Sequence, residues 1–414
     1  MAKKQNLEQS LENALGAGEG VLHLAPVWVP RTFIMPGRRL KLDERDLYVH
    51  GLHRGGISER WFASTTKAEN GPGTPQDEGL SYVVGTDGEQ FLFKDAIASQ
   101  GAKVIGKKMF DKWGRWPNYA KFFDPSGAIA LHLHQREQHA KQVGMEHKPE
   151  AYYFPVQMNH ATNSFPLSFL GLEPGTTKED IRRCLEGWHE GDNNILTYSK
   201  AYLHKPGTGW TMPAGVLHAP GSMCIFEVLW GSDVFCMMQN VIEGRTNPIE
   251  VLNRDVPKNK KKDLDYIVSM IDWNATVNPN FKEDHYLEPI VSTQGDGFTD
   301  KWVVYGKLHD QDLFSAKELT VQPGSSAVIK DKGASGVIFI QGRGTIASYQ
   351  AGAPNHIRYG EVTRDEFFIT EEAAKRGVEI RNTGFEPLVM LRYFGPGVSG
   401  DMPKVGDYRK YPSG

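Results

Sequence analysis

The sequence predicts a mainly β protein made of two jelly-roll barrels, the first of which carries a small helical insertion. Short strand-like runs such as KWVVYGKL, LTVQPGSSAVIK and SGVIFIQGRGTIAS follow one another, with Gly or Pro turns about every 8–12 residues. The chain is also rich in turn formers, with 44 glycines and 24 prolines among its 414 residues. This length allows two or three domains with a sizeable core.

The order of these patterns divides the chain into four segments. A short helix is expected over 6–15, and Thr176 and Glu179 have capping-box spacing before an amphipathic run, which predicts a helix over 177–188. A second helix is predicted over 261–273. We expect a helical segment over 1–20, a first barrel over 21–250 with its insertion at 176–188, a helical linker over 251–286 and a second barrel over 287–414.

Charge and composition argue against nucleic acid or a membrane as the partner. The net charge is −3 and the pI about 6.5, and the lysines at 258 and 260–262 form only a short run, which we interpret as a solvated loop. The sequence has neither an 18-residue apolar run nor the apolar core of a signal peptide. The three cysteines, Cys184, Cys224 and Cys236, have no paired spacing. We therefore expect a protein of the reducing cytoplasm.

The stretch LHLHQREQHAKQVGMEHKPE (131–150) contains four histidines and three glutamates between strand-like segments. On a strand, one face would carry two small residues and two histidines, and the other face would carry apolar side chains; the first set is Ala128, Ala130, His132 and His134. An H-x-H pair on a strand presents two imidazoles a few Å apart, which suits one metal ion. We expect the remaining histidines of the stretch, His139 and His147, to lie solvated on a loop.

Two further residues could complete this metal site. Glu150 stands at the start of the next strand, and His218 follows a Pro-Ala-Gly turn that feeds another strand. Three imidazoles and one carboxylate suit zinc, manganese, iron, nickel or cobalt. The sequence therefore predicts one divalent transition metal, with zinc as the first choice.

Taken in order along the chain, KFFDPSGAIALHLHQ, HKPEAYYF, FLGLEPGTTKEDIRRCLEG and GWTMPAGVLHA resemble type I mannose-6-phosphate isomerases of the cupin superfamily. In that family a Lys-Phe-Leu-Asp segment precedes a Gln-x-His strand, and a Lys-x-Glu segment, a helical insertion and a Pro-Ala-Gly-x-x-His turn follow. ISERWFAST (57–65) and FEVLWGSD resemble its Gly-Glu-x-Trp and Glu…Ser-Asp segments. The resemblance covers about 55–245 and implies two cupin barrels, of which only the first binds metal.

The resemblance also implies a set of site residues. By position, the metal ligands would be His132, His134, Glu150 and His218, although the family usually has Gln where this chain has His132. The residues implied near the chemistry are Lys121, which precedes Phe, Lys148, two residues before the Glu ligand, and Glu227, the acidic residue after the last histidine.

One position departs further from the family. The family places an essential arginine ten residues after the acidic residue at 227, and this chain has Met237 there. The nearest arginine, Arg245, is eight residues further on. It could serve as a catalytic residue in that role if the chain curls back, and otherwise it is a surface charge.

These expectations predict a metal-dependent aldose–ketose isomerase that acts on a sugar or sugar phosphate through an enediol. Glu227 would be the base, with Lys121 and Lys148 as electrostatic or acid partners. Alternatively, Lys148 could be an ion-pair partner that orients Glu150. Three tryptophans could either stack on a sugar ring or belong to the core: Trp61, Trp210 and Trp230.

Two other functions stay open at this point. The change to His132 and the loss of arginine at 237 would also suit a metal cupin with different chemistry, such as an oxygenase. A non-enzymatic sugar-binding protein would keep the barrel without turnover. In each case the partner is a small sugar or sugar phosphate, and exposed strand edges could pair two chains into a homodimer.

Overall fold

The computed structural model describes residues 2–410 and consists mainly of antiparallel strands. In chain order the strands are β1 (Val21–Ala25), β2 (Val27–Arg31), β3 (Gly56–Phe62), β4 (Tyr82–Val84), β5 (Gln90–Leu92), β6 (Asn118–Phe123), β7 (His132–Leu133), β8 (Glu150–Tyr153), β9 (Leu167–Leu172), β10 (Ser199–Leu203), β11 (Gly209–Met212), β12 (His218–Ala219), β13 (Ile225–Trp230), β14 (Cys236–Met237), β15 (Val241–Ile242), β16 (Arg245–Thr246), β17 (Tyr286–Leu287), β18 (Ile290–Gly295), β19 (Phe298–Val304), β20 (Ser315–Val321), β21 (Ser326–Ile329), β22 (Ser335–Gln341), β23 (Arg343–Ile346), β24 (Tyr349–Gly352), β25 (Glu366–Ile369), β26 (Val378–Asn382) and β27 (Leu388–Phe394).

Short helices connect or flank the strands. They are α1 (Ala2–Ala17), α2 (Phe93–Val104), α3 (Lys107–Trp113), α4 (Glu137–Ala140), α5 (Lys178–Glu186), α6 (Glu250–Asn253), α7 (Leu264–Ser269), α8 (Trp273–Thr276), α9 (Phe281–His285) and α10 (Glu371–Arg376). None of these helices within residues 2–410 has the length and apolar composition needed to cross a bilayer.

Strand β13 anchors a seven-stranded sheet with the order β17-β11-β8-β13-β6-β3-β2. Its sequence IFEVLW is buried along its whole length, as expected for a central strand. Phe226, Val228 and Trp230 pack into the largest apolar cluster. Because side chains alternate along a strand, Glu227 must point to the opposite face of the sheet. Burial of the aromatic face therefore fixes where this carboxyl group goes.

A five-stranded sheet with the order β10-β9-β12-β7-β14 holds the histidines. His132 pairs directly with His218 on one side and with Met237 on the other, so these three side chains share one face of the sheet. On the opposite face, Leu133 and Cys236 pack into an apolar cluster together with the helical insertion. Packing against those helices thus turns both imidazoles away from the apolar cluster.

The C-terminal strands form a nine-stranded sheet, β18-β19-β20-β27-β22-β25-β1-β4-β5, and a four-stranded sheet, β21-β26-β23-β24. Strand β1 enters the larger sheet by pairing Leu22 with Phe368 of β25. Strands from 21–92 thus share a sheet with strands from 290–394. The domain boundaries expected from the sequence stay a prediction. Strand pairing crosses the expected boundary between the first barrel (21–250) and the second barrel (287–414).

The helices differ from the predicted spans because of where their caps lie. α1 covers Ala2–Ala17 and is longer than the predicted 6–15. In α5 the capping box joins Thr177 and Asp180, one residue after the predicted pair. The predicted helix over 261–273 is wrong as a single element, since the Asp272 side chain caps a separate helix, α8. An aspartate that bonds a backbone N–H starts a new helix more readily than it continues an old one.

A buried histidine makes the stability of the fold sensitive to acid. His204 is buried beside Phe154, with ring centroids 4.2 Å apart, and neither ring nitrogen has a hydrogen-bond partner among the described residues. Burial lowers its pKa from 6.5 to about 3. Below pH 6.5 the unfolded chain therefore takes up a proton that the folded chain does not, and stability falls by about 1.4 kcal/mol per pH unit.

We expect His204→Phe to remove this part of the acid sensitivity. The free energy of unfolding, measured with urea at pH 7.5 and pH 5.0, should fall less in the variant than in the wild type, with a difference of about 2 kcal/mol. The exposed His189 provides the control, His189→Phe. The same pH dependence in His204→Phe and wild type would contradict this account.

Candidate metal centre and its cleft

Side chains from the seven-stranded and five-stranded sheets line one cleft, which encloses about 440 Å³ including its opening to solvent. The seven-stranded sheet contributes Glu59, Lys121, Glu150 and Glu227, and the five-stranded sheet contributes His132. Lys121 and Glu227 are directly opposite each other in the β6–β13 register. The β8–β13 register places Glu150 opposite Leu229, on the same face as Glu227.

Three histidines converge on this cleft with a defined tautomer. Their Nδ1 atoms lie 2.7–2.8 Å from backbone carbonyls, namely those of Ala130 for His132, Val234 for His134 and Val216 for His218. A carbonyl oxygen can only accept, so each Nδ1 donates and each Nε2 keeps its lone pair. The candidate ligand atoms lie within 4.8 Å of one another. Metal-binding histidines are oriented in this way when the other ring nitrogen donates to a backbone carbonyl.

The turn before His218 is tied to the strand that carries the other two histidines. Gly215 has a φ of 90°, which favours glycine, and its N–H donates to the carbonyl of His134 at 2.7 Å. The predicted H-x-H strand is short: of the stretch 128–134, only His132 and Leu133 are in a strand. Even so, the fold brings both histidines of this pair and His218 together.

Glu150 completes a cluster of acceptors that needs a cation. Its Oε2 lies 3.0 Å from Nε2 of His134, and its Oε1 lies 3.2 Å from Nε2 of His218. With Nδ1 protonated on each ring, these contacts bring lone pairs against lone pairs. Glu150 Oε2 and His218 Nε2 are buried and have no hydrogen-bond partner. A spacing of about 3 Å is that of neighbouring ligands around an ion held at about 2.1 Å. The four residues therefore fit a divalent metal ion.

The protonation states of the cluster agree with a metal site. Burial and the adjacent His218 and His134 hold the pKa of His132 well below 6.5, and burial with Lys148 lowers the pKa of His134 to about 4. Burial alone would raise the pKa of Glu150, but His134 and Lys148 outweigh it and hold the value well below 4.5. Neutral imidazoles and an ionised carboxylate are the forms that bind metal.

A second group of charges stands beside the ligands. Lys121 Nζ lies 3.3 Å from Glu227 and 3.5 Å from Glu59, and Lys148 Nζ lies 3.2 Å from His134 Nε2 and 4.0 Å from Glu227. Burial and repulsion from Glu150 raise the pKa of Glu227 to about 8, although both lysines oppose the shift. A buried carboxyl group that can hold or release a proton near neutral pH suits acid–base chemistry.

The sequence did not single out a third group, formed by Arg31, Glu59 and Asp233. The Arg31 guanidinium binds Glu59 at 2.8 Å and Asp233 at 3.1 Å, and all three side chains are buried in the cleft wall. Two of its members stood inside motifs of the resemblance, Glu59 in ISERWFAST and Asp233 in FEVLWGSD, but nothing in the sequence joined them to Arg31. Their meeting depends on the pairing of β2 with β3, which neither motif nor spacing reveals.

The structure separates Met237 from Arg245. Met237 lines the cleft next to His132, so a thioether stands where the resemblance implied a guanidinium. Arg245 lies in the β15–β16 hairpin, is partly exposed, pairs with Glu243 at 3.5 Å and is not part of the cleft lining. The fold thus does not bring Arg245 to the other predicted site residues.

The other aromatic and histidine side chains belong to the protein interior. The side chains of Trp61, Trp210 and Trp230 are at most 2% exposed and do not line the cleft, which supports the core interpretation. The prediction that His139 and His147 are solvated is wrong. His139 lies in α4, is buried and packs edge-on against Tyr266, and His147 is half-buried beside Trp230, because the segment that carries them folds onto its neighbours.

No protein-family model matches the sequence, and no curated protein matches it. Solved structures do match over most of the chain. Mannose 6-phosphate isomerase from Bacillus subtilis is 16% identical with a TM-score of 0.61, over 91% of this chain and 99% of that chain. A zinc-bound mannose 6-phosphate isomerase is 13% identical with a TM-score of 0.57, over 91% and 99%. A variant of phosphomannose isomerase from Salmonella typhimurium is 12% identical with a TM-score of 0.56, over 90% and 99%. These likenesses establish a shared fold, and the antiparallel sheets confirm the predicted mainly β class.

We expect the purified protein to bind about one zinc ion per chain, and His218→Ala to lower its zinc affinity about 100-fold or more. Chelation should destabilise the wild type, by about 2.7 kcal/mol relative to zinc at 100 times its Kd. In His218→Ala, chelation should have little effect. Elemental analysis and urea unfolding with and without chelator measure both effects.

The exposed His160 supplies the control for this test. His160→Ala removes an imidazole of the same type outside the cluster and should bind zinc like the wild type. Wild-type zinc affinity in His218→Ala would show that the three histidines do not act together as ligands.

Proposed function

We propose that the protein is a metal-dependent aldose–ketose isomerase that acts on a sugar. The observation that carries the proposal is that Lys148 lies between two groups: the acceptor cluster of His132, His134, His218 and Glu150, and the buried acid–base residue Glu227. The likeness in fold to proteins named mannose 6-phosphate isomerases supports the same reaction class. The catalytic set we propose is Glu227, Lys121 and Lys148, without Arg245.

The metal would be held by the three Nε2 atoms and the Glu150 carboxylate. Zinc is our first choice because imidazole and carboxylate ligands suit it and because one of the similar structures contains zinc. When bound, such an ion acts as a Lewis acid toward a carbonyl oxygen of the substrate. Proton transfer and charge stabilisation would be carried out by side chains of the protein.

Glu227 would move the proton between C1 and C2. As a carboxylate it would remove the proton from C2 of the aldose and leave an enediolate. The O2 hydroxyl proton would pass to O1, and Glu227, now a carboxylic acid whose proton can exchange with solvent, would protonate C1, so that the ketose and the carboxylate are formed. Its raised pKa, about 8, makes both forms accessible near neutral pH. Lys121, 3.3 Å from Glu227, would stabilise the carboxylate form.

Lys148 would act through the position of its positive charge. Its Nζ lies 3.2 Å from His134 Nε2 and 3.6 Å from Glu150 Oε2. A cation at this place favours the ionised form of Glu150 and would stabilise negative charge that develops on a substrate oxygen nearby. Tyr152 also donates to the Glu150 carboxylate and helps to orient it.

The three cysteines are free and buried, which supports the proposal that the protein works in a reducing compartment such as the cytoplasm.

The donor set of three histidines and one glutamate also fits iron, and it is the observation that favours oxygenation as the second candidate function. The two candidate functions can be distinguished by whether the reaction requires oxygen. An isomerase exchanges the C2 proton of an aldose with solvent in the absence of oxygen, whereas an oxygenase consumes oxygen when loaded with iron. A protein that binds sugar and does neither would be a sugar-binding protein.

We expect Glu227→Gln to lower the rate of solvent-deuterium exchange into aldoses by about 10²–10⁴-fold, because glutamine cannot carry the proton. Zinc content should stay at the wild-type level, since Glu227 is not one of the proposed ligands. NMR detection of deuterium at C2, together with elemental analysis, gives both readouts.

Glu318→Gln is the matched control. Glu318 is also buried with a raised pKa, caused by burial, but its carboxyl group binds Tyr153 and lies outside the cleft. This variant should exchange deuterium at the wild-type rate. An unchanged rate in Glu227→Gln would remove Glu227 from the mechanism.

A further inference from the structure

We propose that the cleft recognises a neutral, unphosphorylated sugar. This inference rests on the proposed function, because it names the substrate class of that same site. The supporting observation is that the cationic side chains in the cleft already have partners. A phosphate ester needs unpaired N–H donors, from arginine, lysine or backbone, that converge on its oxygens. The described part of the cleft offers three cationic side chains, and each is already engaged.

Arg31 has no N–H left for a ligand. Its Nε donates to Glu59 at 2.8 Å, Nη1 donates to Asn70 at 2.7 Å and to Asp233 at 3.1 Å, and Nη2 donates to Asp233 at 3.1 Å and to Glu59 at 3.3 Å. These five bonds use all five donors of the guanidinium. Two carboxylates also cancel its charge. Arg31 therefore acts as a structural cross-link in the cleft wall.

The two lysines are held by ion pairs. Lys121 lies between Glu59 and Glu227, 3.5 and 3.3 Å from their carboxylate oxygens. Lys148 lies 3.2 Å from His134 Nε2 and 3.6 and 4.0 Å from the carboxylate oxygens of Glu150 and Glu227; with a metal on His134 and Glu150, Glu227 would remain its partner. A phosphate could bind either lysine only by displacing a buried carboxylate, which would then lose its own partner.

The cleft lining places carboxylates beside its cations. Arg31, Lys121 and Lys148 stand among Glu59, Glu150, Glu227 and Asp233. A bound metal ion would be held by Glu150, and the other carboxyl groups would remain in the lining, where sugar hydroxyls can donate to them. Glu227 contacts both lysines through Oε1, so its Oε2 is available to accept from a hydroxyl.

The rest of the lining is apolar. It consists of Phe33, Phe123, Ile129, Pro220, Phe235 and Met237, apart from the groups already described and Tyr152. Phe33 is the lining residue that reaches solvent, and its ring packs against Phe235 with centroids 5.8 Å apart. Aromatic faces suit the C–H groups of a sugar ring and offer nothing to a phosphate.

The nearest cation behind this wall is engaged too. The Arg254 guanidinium stacks on the Phe235 ring at 3.5 Å and donates to the Asp255 carboxylate. Two more of its N–H groups donate to the backbone carbonyls of Glu69 at 3.0 Å and Asp233 at 2.5 Å, so four of its five N–H groups are engaged. The wall around the opening therefore lacks a free guanidinium among the described residues.

Calorimetry on the zinc-loaded full-length protein tests the inference, with mannose, glucose and fructose each paired with its 6-phosphate. We expect at least one neutral sugar to bind roughly tenfold or more tightly than its phosphate ester, and inorganic phosphate not to compete with it. Tighter binding of the phosphate esters, competition by inorganic phosphate, or no binding of any of the three neutral sugars would overturn the inference.

Deuterium exchange measured on the same samples tests the isomerase activity separately from the substrate class. Neutral sugar that binds and exchanges supports both. Neutral sugar that binds without exchange supports the substrate class and contradicts the isomerase. Exchange confined to the phosphate esters supports the isomerase and contradicts the substrate class.

A variant that frees Arg31 tests the cause of the selectivity. Asp233→Asn removes one of the two carboxylates on the guanidinium, so affinity for the sugar phosphates should rise roughly tenfold. Asp300→Asn is the matched control, because Asp300 binds Arg392 at 2.7 and 2.8 Å in a similar buried pair outside the cleft. An equal rise in both variants, or none in Asp233→Asn, would contradict this cause. If Asp233→Asn does not fold, the comparison of paired ligands on the wild type decides.

Discussion

The structure around the cleft depends on one constraint: charges removed from water must find partners of opposite sign. Lys121 meets this constraint between Glu59 and Glu227, and Arg31 meets it between Glu59 and Asp233. Each group would be costly to bury alone, because an isolated charge in a protein interior loses several kcal/mol of hydration. The strands β2, β3, β6 and β13 supply Arg31, Glu59, Lys121 and Glu227 by their register, and Asp233 comes from the loop after β13, so sheet pairing and charge pairing specify each other.

In the cluster of candidate metal ligands, some buried groups lack such partners. Glu150 Oε2 and His218 Nε2 are buried acceptors without a hydrogen-bond donor. Since nearly all buried polar groups in folded proteins are partnered, two orphaned acceptors in one place indicate a missing cation. The hydrogen bonds from each Nδ1 to the backbone prevent the rings from switching tautomer, so each Nε2 remains an acceptor.

The sequence identified the residues of the candidate ligand cluster better than it identified their surroundings. His132 and His134 are two apart on a strand, and Glu150 and His218 open the next strand and follow a Gly turn, so short-range rules were enough to select them. Arg31 and Asp233 are 202 positions apart, and only the assembled sheets bring them together. The mainly β class followed from turn spacing, whereas helix ends depended on which aspartate caps a backbone N–H.

A buried arginine between two carboxylates is not in itself a functional sign. Arg392 lies between Asp300 and Asp331 in the C-terminal sheet, at distances much like those around Arg31, and no cluster of candidate metal ligands accompanies it among the described residues. What distinguishes the cleft is that its saturated arginine stands next to unsatisfied acceptors. The first group excludes additional anions from the wall, and the second attracts a cation to the floor. Together they favour a ligand that brings hydroxyl and carbonyl oxygens without a net charge.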